Sequence, residues 1–413
     1  MLLNSQCCIV GGGPAGVVLA YLLVRQGVRV TLLEAAADFD REFRGDTLTP
    51  SVMEMLAELG LADRLLELPH SRIAKIVVQT EEGPLKVTDY SFLRSRFNYI
   101  TVISQARFLS FMVDQMRSAP NFELVMGANV RELIEEGGAV RGVVYQHEGQ
   151  RREHRSSLVV GADGRFSRLR HLSGLKLVKT SPPMDVLWFS LPRLESEPAD
   201  LNLSVRIGRG YYTALTDRFT HWQVSLVIPK GSSKEFKARG DENLRQAVAQ
   251  AVPAFADRVS GLDWSQVFVL SVQSSRLTRW YKPGLLLIGD AAHTMSSVGG
   301  VGINCAIQDA AVVSNVLGKR LRQGPVEVGA LREVQWRREI PIRLLQFLQK
   351  VAQKQVIERA LDPNKPFQMP LSLRIPWINR LAVWVAAYGV WPVKVDQSGF
   401  LPPLRAIQSS TLR

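Results

Sequence analysis

At 413 residues, with 46% hydrophobic and 22% charged residues, the chain has the composition of a globular protein large enough for two domains. Three cysteines (Cys7, Cys8 and Cys305) give no disulfide framework and the six histidines no metal-ligand spacing, so neither a disulfide scaffold nor a metal site is expected, and a cytoplasmic setting is. The net charge of +13 asks for an anionic partner, yet the basic residues are interleaved with acids, the densest groups (151–155 and Arg337-Arg338) read as solvated faces, and no nucleic-acid-binding pattern is present.

The chain opens with an apolar run (7–10), the turn Gly11-Gly-Gly13-Pro14-Ala15-Gly16, an apolar helical segment (17–26) and a second strand-like run (28–33) that ends at Glu34. This is a βαβ unit with G-x-G-x-x-G at its turn and an acid eighteen residues after the last glycine. Gly11 permits the tight turn, Gly13 lets a pyrophosphate approach the backbone, and Gly16 lets helix and strand pack closely. The helix N-terminus offers N–H groups and a positive dipole to the phosphates. Glu34 is placed to bind a ribose diol and disfavours a 2′-phosphate, so the bound dinucleotide is FAD or NAD rather than NADP. The start carries no basic region of the kind that precedes a signal peptide's apolar core.

Arg44 follows in a loop near that turn, in reach of a phosphate. Residues 51–68 have helical periodicity, and 73–87 read as a hairpin around Glu81-Glu-Gly-Pro84. Ser104 is placed to cap a helix over 107–117. Residues 129–160 read as three strands, the last running into Gly161-Ala-Asp163-Gly164-Arg165. From 181 to 240 prolines punctuate the chain, and 185–191, 201–207, 211–215 and 222–228 read as antiparallel strands. The apolar run 284–288 has the pattern of a strand buried on both faces and ends in Gly289-Asp290-Ala-Ala-His293. A glycine-rich loop, 298–304, then precedes a long helix, and 326–360 are helical and amphipathic. In the proline-rich tail, 375–392 is too short and too charged (Arg380) to span a membrane. A C-terminal helix packed on the body is favoured there over an interfacial membrane helix.

Three motifs in this order, Gly11-x-Gly13-x-x-Gly16, Gly161-Ala-Asp163-Gly164-Arg165 and Gly289-Asp290-Ala-Ala-His293, resemble the class A flavoprotein monooxygenases of the para-hydroxybenzoate hydroxylase type, the FAD-dependent aromatic hydroxylases. The resemblance implies an α/β fold. A Rossmann-like FAD-binding domain of the GR2 type (1–72, 100–180 and 273–330) would be interleaved with a mostly antiparallel β-sheet substrate domain (73–99 and 181–272), followed by a C-terminal helical region (331–413). By matching position, Gly11, Gly13, Pro14, Ala15, Gly16 and Glu34 would hold the ADP half of FAD. Arg44, Gln105 and Arg107 would lie along the pyrophosphate and ribityl chain, Val130 would touch adenine through its backbone, and Asp290 would bind a ribityl hydroxyl. Gly302, Ile303 and Asn304 would face the pyrimidine edge of the isoalloxazine. Asp163 is associated in the family with FAD and NAD(P)H, mostly through structural support. A turn-forming aspartate explains it equally well.

The implied chemistry is reduction of FAD by NADH or NADPH, reaction with O2 to a C4a-hydroperoxyflavin, and oxygen transfer to an aromatic or polyketide-like small molecule. No catalytic residue is named, because the cofactor carries the hard step. Candidate substrate liners in the sheet are Trp188, Tyr211, Tyr212, His221 and Trp222, each also explicable as core or solvent face. The chain departs from the family at Ser297, where proline is usual. That departure is the one support for a non-catalytic FAD-binding partner protein. A reductase, desaturase or oxidase of the same fold is the other alternative. Monomer and homodimer are both compatible with the sequence.

Overall fold

The computed structural model describes residues 4–40, 46–195, 197, 203–218, 221–364, 367–368, 370 and 375–401. Five strands form the parallel part of its larger sheet: β1 (Ser5–Val10), β2 (Val30–Leu33), β3 (Phe122–Val125), β4 (Gln150–Gly161) and β5 (Leu285–Leu287). Their order is β5-β4-β1-β2-β3. Cys7 lies opposite Val30 on one side and Leu158 on the other, and Val159 lies opposite Leu285. The centres of these strands are apolar because both faces are covered there: Cys7, Cys8, Ile9, Leu32, Val159 and Leu286 are fully buried. The first half of β4 leaves this layer and forms an antiparallel meander with Asn129–Glu136 and Ala139–His147.

The helices that build the site are numbered α1 (Pro14–Arg25), α2 (Arg168–Ser173), α3 (Gly302–Gln323), α4 (Val328–Ala352) and α5 (Pro376–Tyr388). α1 is buried from Ala15 to Arg25, which accounts for its lack of a polar face. It packs on α3, where Gly318 leaves room for the Gln26 side chain to donate to the Ser314 carbonyl and hydroxyl.

The second sheet has seven strands, in the order Phe268–Leu270, Met184–Pro192, His221–Pro229, Tyr211–Asp217, Leu203–Gly208, Lys75–Thr80 and Gly83–Asp89. The hairpin at 75–89 thus joins strands more than a hundred residues later, through the parallel pair Val77 and Ser204. One face is packed by the helix Gly240–Ala251, with Leu187, Phe189, Leu215, Val224, Leu244 and Val248 in the core between them. The other face meets the chain beyond α4, where Ile357 packs on Met184, Val186 and Val227. The tip of the sheet meets the segment 46–71. There Ser71 Oγ donates to the Asp217 carbonyl and Arg218 forms an ion pair with Asp46. Burial pushes the Arg218 guanidinium down to about 10.

Several expectations are corrected. The helix expected over 51–68 is two, Pro50–Glu58 and Ala62–Leu65, because Gly60 turns the chain at φ 74°. The helix expected from Arg107 is Gln105–Asp114, and Ser104 precedes it without a side-chain cap. Arg337-Arg338 is not a solvated face: Arg337 is exposed, but Arg338 is fully buried against Asp309. In the other basic cluster Arg151 and Arg152 are solvated, while His154 is buried against Ser5. Among the described residues one segment, 298–323, is long and apolar enough to cross a membrane, and 83% of its most apolar 18-residue stretch is buried in the body.

Candidate active site

The three sequence motifs lie side by side because β5, β4 and β1 are neighbours and each motif is the turn at one strand's carboxyl end. Ligands of open α/β sheets bind at that edge. In the first turn Gly11 takes φ 108°, and a Cβ there would strike the Ala162 carbonyl. A Cβ on Gly16 would strike the Gly11 carbonyl, so these two glycines serve close packing. Gly13 differs: a Cβ there would meet nothing within 4 Å. It is the N-cap residue of α1, which has Pro14 in its first turn and no side-chain cap, so the helix end faces open space. Glu34 stands beside it, its carboxylate accepting from the Gly12 N–H at 2.6 Å and the Ala36 N–H at 2.8 Å. The Ala128 N–H donates to the Glu34 carbonyl, which brings the strand carrying buried Val130 against the same edge.

The middle turn is closed by its own side chains. Asp163 accepts from Ser167 Oγ at 2.5 Å and from the Leu169 N–H at 2.9 Å, and Ser167 Oγ caps the Arg170 N–H. Burial raises the Asp163 carboxyl above its ordinary value, with these bonds opposing the rise. Arg170 then crosses to the last motif, donating to the carbonyls of Asp290 and Ala291.

The last turn is held by a buried charge network. Asp309 accepts from the Gly289 N–H at 2.9 Å and from Arg338 Nε at 2.7 Å, and its other contact is His293 Nε2 at 2.6 Å. His293 stacks on Trp280, with ring centroids 4.9 Å apart. Burial by itself would raise the Asp309 carboxyl; His293 and Arg338 more than offset it and hold it down to about 2. His293 therefore supports the turn. Asp309 and Arg338 were missed by sequence reasoning, although a signal existed: Asp309 is the one charged residue between 303 and 317.

The glycine loop is tied down in the same manner. Asn304 accepts from the Thr49 N–H and hydroxyl and donates to the Thr47 carbonyl, so its side chain is committed and its backbone N–H is the group left at the start of α3. With Gly302 and Ile303 it forms the first turn of a 22-residue helix that has no side-chain cap. Ser297 takes φ −67°, the value a proline ring would fix. Its neighbours are clamped by Gln349, which donates to the carbonyls of Ser296 (3.0 Å) and Val298 (2.7 Å) and accepts from the Ser296 N–H. Gln353 adds a bond to Ser296 Oγ. This glutamine pair on and beyond α4 was also missed.

Gln105 lies half-buried at the start of its helix and Arg107 is exposed two residues on; Arg44 lies outside the described residues. The sheet register divides the five aromatic and histidine candidates. Tyr212 lies opposite Val227 and Trp188 opposite Ser225, on the face turned away from the helix Gly240–Ala251, and His221 shares that parity. Tyr211 and Trp222 point the other way. Trp222 is buried in the helix-side core, 5.6 Å from the Phe255 ring, and donates to Glu197, while Tyr211 packs on the same core. Trp222 is a core residue and Tyr211 a half-buried one beside it, on the face opposite to their neighbours Tyr212 and His221, because neighbours in a strand cannot share a face.

The family profile described as "FAD binding domain" matches residues 4–330. The chain belongs to that family. A 6-methylpretetramide 4-monooxygenase from Streptomyces rimosus is 34% identical over 324 residues, covering 78% of this chain and 77% of that protein. A pentachlorophenol 4-monooxygenase from Sphingobium chlorophenolicum is 25% identical, covering 74% of this chain and 57% of its own length. Among solved structures, an anhydrotetracycline hydroxylase from Streptomyces rimosus superposes with a TM-score of 0.74 at 22% identity, covering 93% of this chain and 75% of that one, which establishes the shared fold. The flavoprotein is thus an FAD-dependent monooxygenase of α/β fold. Its own geometry fits that cofactor, with an open glycine and an uncapped helix end at α1, an acid, Glu34, beside that turn, and a second uncapped helix end at α3.

Proposed function

We propose that this monooxygenase hydroxylates an aromatic ring of a polyketide-like small molecule, held between the loop before α3 and the sheet face that carries Trp188 and Tyr212. The observation that carries the substrate class is the 34% identity, over most of both chains, to a 6-methylpretetramide 4-monooxygenase. The sheet face supports it. Trp188, Tyr212, Val227 and Val298 belong to one apolar cluster, so an apolar ring would meet both the sheet and the glycine loop. Burial pushes the Tyr212 hydroxyl up to about 12, which keeps it a neutral donor.

Bound FAD supplies electron storage from NAD(P)H and activation of O2. The chain's residues do the rest. The backbone of residues 11–16 and the N–H groups opening α1 would take the pyrophosphate, with Gln105 and Arg107 alongside it. Glu34 would accept from the ribose hydroxyls, Val130 would meet the adenine, and Asp290 would accept from the ribityl chain. The N–H groups of Gly302, Ile303 and Asn304 would donate to the pyrimidine edge, where negative charge gathers on reduction. Gln349 and Gln353 hold the loop that separates this edge from the sheet. Ser297 takes a φ that a proline would also take, which supports reading this departure as compatible with the family's loop.

The experiment is a substrate panel of polycyclic phenols against simple phenols, read as NAD(P)H oxidation and as product mass. Polycyclic phenols should stimulate oxidation and gain one oxygen atom. Stimulation by simple phenols alone would overturn the substrate class, and stimulation with no oxygen gained would favour a reductase or oxidase.

A further inference from the structure

α4 is polarised in an unusual direction. Its inner face carries Leu331, Val334, Arg338, Ile342 and the Gln349 clamp. Its outer face is apolar as well: Trp336, Ile340, Leu344, Phe347 and Val351 are all exposed, Trp336 to 63% and Phe347 to 59%. The steps of four, four, three and four residues put them on one stripe. α5 repeats the pattern. Val383 and Ala387 are buried, while Trp377, Leu381 and Trp384 form an exposed stripe, Trp377 to 67%. The two helices are neighbours, since Leu345 of α4 and Val385, Ala386 and Gly389 line one cleft over the start of α3. Every exposed tryptophan among the described residues lies in this region, which includes Trp391.

Charge singles out the same region. Residues 331–413 hold thirteen Lys and Arg against five Asp and Glu, so +8 of the chain's +13 is concentrated in its last fifth. Arg343, Lys350 and Lys354 are exposed beside the α4 stripe, and Arg380 beside that of α5. We propose that the outer faces of α4 and α5 form a docking surface for anionic lipid bilayers. Tryptophan and aliphatic side chains enter the headgroup boundary while flanking cations meet lipid phosphates. A second copy of this chain fits less well, because a self-complementary contact would bring the exposed Arg343, Lys350, Lys354 and Arg380 of both copies together. The surface is the back of the helix whose front clamps residues 296–298, so docking sets the flavin-side loop close to apolar molecules dissolved in the bilayer. The proposal does not depend on the substrate class above.

The test is co-sedimentation of the FAD-loaded full chain with phosphatidylcholine vesicles, with and without phosphatidylglycerol. Binding should require the anionic lipid, shift tryptophan emission to the blue, and weaken about tenfold or more at high salt. The double variant Trp336→Ser/Trp377→Ser should lose about tenfold or more of that partitioning while keeping the flavin spectrum and thermal transition of the parent. Failure to bind either vesicle would overturn the proposal, as would a folded double variant that binds like the parent. A concentration-dependent dimer that the double variant abolishes would assign the surface to a second copy and would also overturn it.

Discussion

Two turns stand side by side at the carboxyl ends of β1 and β4, and they are built in opposite ways. The first leaves Gly13 in open space and the end of α1 without a side-chain cap. The second is closed by Asp163 and Ser167, and the third, after β5, by Asp309. All three begin at a glycine, so glycine alone does not distinguish a ligand cradle from a structural corner. What distinguishes them is whether the chain satisfies its own helix N-terminus. Where it does not, an anion can.

Opening a closed turn should have the largest effect. Asp309→Asn leaves the buried Arg338 charge unbalanced and should cost about 3–5 kcal/mol in denaturant unfolding. A loss below about 1 kcal/mol would show that the network does not hold the third turn. The same group sets an acid limit. Its carboxyl lies at about 2 in the folded chain against an ordinary 3.8, so its contribution is complete above pH 3.8 and is lost as pH falls towards 2. Acid titration of the parent should show that loss, and Asp309→Asn should not.

Filling the open turn should separate folding from cofactor binding. Gly13→Ala should change the stability of the FAD-free chain by no more than about 1 kcal/mol and weaken FAD about tenfold or more. Gly16→Ala should instead destabilise the FAD-free chain by about 1–3 kcal/mol, because its Cβ meets backbone. If the two variants behave alike, the contrast between the turns is wrong. Asp163→Ala should cost about 1–2 kcal/mol of stability through the lost cap and leave FAD affinity near that of the parent. The smallest effect is expected of Ser297→Pro, a gain of about 0.4–1 kcal/mol at a φ that already suits proline.

The parallel sheet and its turns were largely legible in the sequence because the motif residues answer to backbone geometry. A tight turn or a close helix–strand contact demands glycine wherever it occurs. The sheet was legible as strands but not as a site. Tyr211-Tyr212 and His221-Trp222 are adjacent pairs, so each pair had to divide between the two faces. Which member would turn from the core depends on where the helix Gly240–Ala251 packs, and no local pattern states that. Arg338 was hidden for a related reason. Its partner lies 29 residues away on another helix, and beside Arg337 it looked like surface.

The most direct test of the central claim is to reduce the purified, FAD-loaded protein with NAD(P)H without oxygen, then mix it rapidly with O2 and follow the spectrum. The account predicts a transient species absorbing in the near ultraviolet before the oxidised flavin spectrum returns. Reoxidation in one step with no such transient across the phenol panel, or a protein that retains no flavin, would contradict it.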